Sequence, residues 1–397
     1  MSILLRKAAM ADCRHERRGD LRIENGTITA IGTDLPAREG EKVIDCTGLW
    51  VLPSFVDLHA HFRDPGFTHK EDIESGCLAA AHGGYTYVNL MPNTSPICSS
   101  METVKYVRAK AEAQGICDVH QTLAITKDFD GKTTDHLLDR DEDVLWISDD
   151  GVGVEDTTVI LNVMRQVKEW DIGLMLHEEY RALTPLNTYL SEELPTFRDV
   201  ELAIFTGCRT HFCHVSTARA MDYVIEGKRR CDNITCEVSP HHLALNDFNG
   251  GKVAPPLRSE TDRKYLIDCI KAGYVDAIAT DHAPHSPQEK KDGANGFTGL
   301  DLSFATCYTT LVREENMTLG QLSRLMSYNP AQMMNLPPAL IEEGLPANLV
   351  MVDLDTPFVA GEQHIVSRSK NSPILGQTLY GTVTATIKGG KLVYEKQ

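Results

Sequence analysis

Six residues of metal-binding type stand at the ends of short apolar runs scattered along the chain: His59, His61, Asp150, His177, His214 and Asp281. The first two form His59-Ala60-His61 at the end of the run that starts at Trp50. Residues i and i+2 of a strand share a face, so the two imidazoles leave the strand side by side, as gripping one metal requires. A lone pair at this spacing is common. A pair joined by further ligands at four other run ends is not.

Zinc takes His nitrogen and carboxylate oxygen, and a catalytic site keeps a position open for water. In this pattern His59 and His61, with Asp281, would hold one metal and His177 and His214 a second, with an aspartate bridging the two. Asp149 and Asp150 are adjacent, and alternation admits only one of them to the site without saying which. Two Zn²⁺ with two aspartates and a hydroxide leave about one positive charge, enough to draw in an anion. A metal lowers its water's pKa to about 7 and polarises a carbonyl. Asp281 beside that water can take its proton and pass it to a leaving nitrogen. Arg63, two residues beyond His61, points to the same side and suits bidentate recognition of a carboxylate.

For His15, His69, His82, His120, His136, His211 and His364 an ordinary satisfied polar role is expected. His241 and His242 follow a strand, but the ligand set is full without them, so they are read as bracing residues.

Eight apolar or β-branched runs position these groups: 55–58, 85–90, 119–125, 144–147, 172–176, 210–213, 234–238 and 275–279. Stretches with helical spacing separate them, among them 70–82, 100–114, 156–170, 217–228 and 262–272. Such alternation predicts an α/β fold, a closed parallel (β/α)8 barrel whose chemistry lies beyond the C-terminal strand ends. That is where the candidate residues fall. The two chain ends read instead as short β segments, with Asn25-Gly26 as a hairpin turn. A small β-sandwich domain built from residues 1–52 and 345–397 is therefore expected beside a barrel of residues 53–344.

The 397 residues carry a formal net charge of −17. That balance argues against nucleic acid, which needs a basic stripe. An anionic small molecule would have to be drawn in by local positive charge, from a metal or placed arginines. No apolar run is long enough to span a membrane, and Met1–Lys7 has no signal-peptide core, so a cytoplasmic location is expected. The eleven cysteines lack CxxC pairing and read as reduced, mostly buried small hydrophobes.

Several segments together resemble the bacterial class I dihydroorotases of the amidohydrolase superfamily. They are Asp57-Leu-His-Ala-His-Phe-Arg-Asp-Pro-Gly66, Met91-Pro-Asn-Thr94, Ser148-Asp-Asp-Gly151, His214-Val-Ser-Thr217, Glu237-Val-Ser-Pro-His-His242, Pro255-Pro-Leu-Arg258 and Ala279-Thr-Asp-His-Ala-Pro-His285. The resemblance covers nearly the whole chain. It implies zinc, two per subunit or one, and reversible opening of the dihydroorotate ring to N-carbamoyl-L-aspartate, the third step of pyrimidine synthesis. It selects Asp150 over Asp149 as the bridging ligand, where hydantoinases and allantoinases usually carry a carbamylated lysine. It gives Asp281 the acid/base role and makes Arg63, Asn93, His285 and Gly296 the substrate contacts. A homodimer and association with aspartate transcarbamoylase are further expectations.

The chain departs from that pattern at Ala254, usually Asn, and at Gly293-Ala-Asn-Gly296, usually Ala-Pro-Phe-Gly. His177 is followed by Glu-Glu-Tyr rather than Cys-Glu-Asp. Two rival readings are a hydantoinase- or allantoinase-like hydrolase of another cyclic ureide and a non-catalytic scaffold for aspartate transcarbamoylase.

Overall fold

The apolar runs fold as eight parallel strands that meet in the order of the chain. Phe55–Ala60, Tyr85–Leu90 and Asp118–Gln121 form one hydrogen-bonded series. Trp146–Ile147, Gly173–Leu176, Arg209–Phe212, Ile234–Val238 and Ala277–Ile278 form the next. Two joints close the ring. Leu123 bridges Ile147 and Ala60 bridges His282, both in parallel sense, with Ser148 N–H donating to Leu123 O (3.0 Å) and His61 N–H to His282 O (2.8 Å). The computed structural model describes residues 2–396. Met1 and Gln397, the outermost residues of the expected terminal unit, lie outside the described residues.

Four strands are shorter than their apolar runs, and at the two joints the hydrogen bonds show why. Past Gln121, Thr122 N–H still bonds Leu90 O, but Ala124 N–H turns to Cys98 O. At the other joint Asp57 takes over as acceptor for Thr280 N–H and Oγ1–H (2.8 and 2.5 Å). Side chains and loop carbonyls thus replace ladder partners where the strands flare open toward the site.

The helices begin where capping chemistry says they should. Asp72, Ser100, Asp156, Thr217 and Ser259 each accept a backbone N–H at the start of a helix: Ile73–His82, Met101–Gln114, Thr157–Trp170, Ala218–Arg230 and Glu260–Lys271. A sixth long helix, Thr188–Thr206, is capped by Asn187 and carries Pro195 within it. Inside the barrel Val56, Leu58, Trp146, Met175, Ala277 and Ala279 pack against Met333 and Met334. Trp146 is fully buried, and truncating it would cost about 3–5 kcal/mol.

Both chain ends join in one eight-stranded sheet. The strands Ser2–Ala11, Glu16–Glu24, Thr27–Gly32, Lys42–Asp45 and Trp50–Pro53 come from the N-terminal end. Leu349–Asp353, Thr382–Lys388 and Lys391–Glu395 come from the other. The seam is antiparallel, Trp50–Pro53 against Leu349–Val352. Asn25 and Gly26, both at positive φ (49° and 85°), form the hairpin turn. Ile3, Leu5, Met10, Leu21, Val51, Leu349 and Ile387 share a separate core. Only Ser54 separates Trp50–Pro53 from the first barrel strand, so the sheet fixes where that strand starts.

Candidate metal centre and active site

The six ligand-type residues converge at one end of the barrel. His59 lies in the first strand and His61 directly after it. His177 follows the fifth strand, while Asp150, His214 and Asp281 stand two or three residues past the fourth, sixth and eighth. His214 and Asp281 reach inward on left-handed backbone (φ 33° and 45°), a conformation non-glycine residues rarely hold and that clusters at functional sites. All six side chains are buried.

Their atoms are spaced as ligands are. One potential metal-holding group is His59, His61 and Asp150; another is Asp150, His177 and His214, so Asp150 belongs to both. His59 Nε2 and His177 Nδ1 lie 3.2 and 3.4 Å from Asp150 Oδ1. His61 Nε2 lies 3.6 Å from Asp150 Oδ2 and 3.2 Å from Asp281 Oδ1. His177 Nδ1 and His214 Nε2 are 3.0 Å apart. Two ligand atoms on one tetrahedral zinc at about 2.0–2.1 Å sit roughly 3.3 Å from each other. Moreover, His59 Nε2 and Asp150 Oδ1 are buried without a hydrogen-bond partner although 3.2 Å apart. Buried polar atoms are ordinarily partnered. A cation between them would satisfy both, so the residues present fit a divalent metal.

Three of the rings are steered from behind. Glu237 accepts from His59 Nδ1 (2.9 Å), Asn93 Oδ1 from His61 Nδ1 (2.8 Å) and Glu179 from His177 Nε2 (3.3 Å). Each bond presents the other ring nitrogen to the centre, as ligand histidines are usually held. Glu237 is also bonded by His211 Nε2 (3.0 Å), so His211 braces the brace. His241 and His242 both contact Ser239 Oγ, and His242 Nε2 donates to Pro255 O, bracing that loop. Asp149 faces away, accepting from Thr126 N–H and Oγ1–H. Glu237 and Glu179 were not singled out from the sequence. For Glu237 the signal was a lone carboxylate within the apolar strand Ile234–Val238.

Charge follows from this packing. Against the cost of burial, Asp150 raises the pKa of His59 well above its ordinary value and, with Glu179, lifts His177 to about 10. Burial opposes ionisation of Asp150 and Asp281, but the surrounding histidines hold both well below the usual carboxylate range. The cluster demands positive charge at its centre, supplied by protons or by a cation. Burial instead pushes Asp149 up to about 7.

Above the cluster lies a cavity of about 310 Å³, lined among others by Arg63, Asn93, Arg181, Ala254, His285 and Gly296. A second cavity of about 420 Å³ adjoins it and shares His177, Glu179, Ala254 and Asn295. Arg63 is only 9% exposed, yet no carboxylate lies within 4 Å of it among the described residues. Its Nε reaches only Pro284 O, at 3.4 Å. Burial pulls its pKa down to about 10. Beside it His285 donates from Nε2 to Asn295 O (2.7 Å) and receives Lys70 Nζ at Nδ1 (3.4 Å). Burial, then Arg63 and Lys70, lower His285 to about 3, which keeps it neutral. Gly296 (φ 131°) lines the cavity, where a Cβ would come within 2.7 Å of Ala283. Its N–H and C=O are both engaged within the protein, by Lys252 O and by Lys290 and Asn371. Arg181, which lines the cavity, and Lys70, which reaches His285, are cations that were not assigned from the sequence.

Residues 50–393 match the amidohydrolase family. The chain belongs to that family. Among curated relatives, a dihydroorotase of Clostridium botulinum is 44% identical over the whole of both chains. A dihydroorotase of Brevibacillus brevis is 38% identical over 95% of each, and one of Clostridioides difficile 37% identical over 99% of each. Among solved structures, an L-hydantoinase (dihydropyrimidinase) of Arthrobacter aurescens superposes with a TM-score of 0.89 at 21% identity, covering 99% of this chain and 96% of that one. A D-hydantoinase (dihydropyrimidinase) of a Thermus species gives 0.88 at 24%, covering 98% and 94%. These two establish the shared fold.

Proposed function

We propose that this chain is a dihydroorotase: a metal-dependent cyclic amidohydrolase that reversibly converts dihydroorotate to N-carbamoyl-L-aspartate in pyrimidine synthesis. The observation that carries the reading is Arg63, a buried guanidinium without a counter-ion that faces the cavity above the histidine–aspartate cluster. Dihydroorotate brings a carboxylate to that position; a simple hydantoin does not.

His59, His61 and Asp281 would hold one zinc, His177 and His214 a second, and Asp150 would bridge them. Bound there, zinc would supply an activated water and polarise the scissile carbonyl. Asp281 takes the proton of the attacking water and delivers it to the ring nitrogen as the amide C–N bond breaks. Arg63 pairs with the substrate carboxylate, Asn93 Nδ2 is free to donate because Oδ1 is taken by His61, and His285 stays neutral beside Arg63. Gly296 forms part of the wall against which the ring lies, and only glycine fits there because a Cβ would run into Ala283. Zinc as the metal, a homodimer, association with aspartate transcarbamoylase and a cytoplasmic location complete the proposal, with the barrel over 53–344 and the terminal unit over 1–52 and 345–397. No helix of the described residues is long and apolar enough to cross a membrane.

A hydantoinase-like activity is favoured by one feature: Ala254 leaves the wall between the two cavities short of an amide. Metal content measured alongside turnover of dihydroorotate, a hydantoin and allantoin separates the readings. Preference for dihydroorotate supports this one, and preference for either neutral ureide overturns it.

A further inference from the structure

Two loops, residues 251–256 and 293–296, contribute to the walls of the two adjoining cavities. The first is braced at Pro255 O by His242, and the second runs on from the short helix Pro287–Lys291, with Gly293 and Gly296 at positive φ (94° and 131°). Such a segment loses much backbone entropy on ordering. One side chain joins the two. Lys290 Nζ donates to Lys252 O, Ala294 O and Gly296 O, each at 2.8 Å. Three N–H donors meet three carbonyls, and among the described residues no carboxylate lies within 4 Å of this ammonium. Gly296 N–H bonds the same Lys252 carbonyl (3.0 Å).

We propose that Lys290 is a positioning residue: its ammonium ties the two loops into one wall and so sets the place of Asn295 and Gly296 against the substrate. This rests on the dihydroorotase reading. Lys290 does not itself line the cavity, so it acts through the loops rather than on the reacting atoms. The groups around it fit a cation held by carbonyls alone. Lys252 adds a like charge, the Phe297 ring lies 5.2 Å away, and the neighbouring Glu289 is turned to Lys70 and Ser286. A neutral amine has two N–H groups for three carbonyls, so the tie weakens on deprotonation. Burial, with Lys252, pulls this ammonium down to about 8. The wall is therefore tight below that pH and loosens as pH rises through it.

The test is Lys290→Met in the metal-loaded enzyme, with KM and kcat for dihydroorotate measured from pH 6.5 to 9.5. At neutral pH, KM should rise about tenfold or more while kcat stays within about threefold, because a pre-organised wall is lost and the reacting groups are untouched. Wild-type KM should climb above pH 8, and the variant's should already be high and flat. Metal content should not change. A KM within twofold of wild type, or identical pH profiles, would overturn the proposal. Hydrogen exchange of wild-type amides 293–297, corrected for intrinsic rates, gives a second reading that needs neither the variant nor turnover. Protection should fall between pH 7 and 9, and unchanged protection would also overturn it. If wild type turns over no dihydroorotate, the functional reading fails, while the exchange measurement still decides the role of Lys290.

Discussion

The floor and the rim of the cavity are built by different means. The floor is six buried side chains on barrel strands or within three residues of their ends, three of the rings clamped from behind by Glu237, Asn93 and Glu179. The rim is loop: Arg63 on left-handed backbone (φ 59°), His285, and the 293–296 segment, held by Lys290, Asn371 and His285. A metal site tolerates errors of about 0.2 Å, a precision that rigid strands provide. A substrate's peripheral group tolerates more, and loops can vary without disturbing the barrel. Under the proposed function, bond cleavage falls to the floor and choice of substrate to the rim.

The largest test of the division is His61→Ala. The floor loses an imidazole that lies close to both Asp150 and Asp281, and turnover should fall below detection. Metal analysis should show a lost or weakened site, while circular dichroism should remain that of a folded barrel. Full metal with wild-type turnover would mean that the His59-Ala60-His61 pair is not a ligand pair.

Next is the rim. Arg63→Met removes a charge-assisted contact and the orientation it provides, together worth several kcal/mol. Turnover of dihydroorotate should drop by about two orders of magnitude or more, with metal content intact. Any trace activity on an uncharged cyclic ureide should be spared. Equal losses on both substrates would make Arg63 structural and bring the hydantoinase-like reading forward.

The same division governs what could be read from the residues alone. The apolar runs and the His and Asp residues at their ends gave the barrel and the members of the cluster, because a strand end points its side chains predictably. Asp149 and Asp150 mark the limit: one strand position decides which faces inward, and Thr126, the partner that claims Asp149, lies 23 residues away. Arg63 reaches the cavity for a reason alternation did not supply. The strand ends at Ala60, and a left-handed turn redirects the chain. The roles of Lys290 and Asn371 were invisible, since each depends on carbonyls brought together only by folding.

A change behind the floor should have an intermediate effect. Glu237→Gln leaves an amide oxygen to receive His59 Nδ1–H but removes the charge that makes the ring a stronger ligand, and it weakens the bond to His211. Metal affinity or activity should fall about 10–100-fold, as is usual for such supporting residues. Burial opposes ionisation of Glu237, yet His211 and His59 lower it to about 2. The charge is therefore lost only below that pH, and the deficit of the variant should be constant across neutral pH. A deficit that vanished near pH 7 would mean that Glu237 is not acting as a fixed charge.

The smallest expected effect is none at all. Where two metals are bridged by a carbamylated lysine, the bridge forms from carbon dioxide, and loading requires it. Here the candidate bridge is Asp150, whose carboxylate is part of the chain and already lies 3.2–3.7 Å from the four histidine nitrogens around it. Burial opposes its ionisation, but those histidines hold it well below the ordinary carboxylate range. It therefore stays charged and ready to ligate throughout the neutral range. Enzyme stripped of metal and reconstituted with zinc in bicarbonate-free buffer should regain the same metal content and turnover as enzyme reconstituted with bicarbonate. A strict bicarbonate requirement would mean that some other residue completes the bridge. The floor would then depend on a modification rather than on strand-end side chains alone.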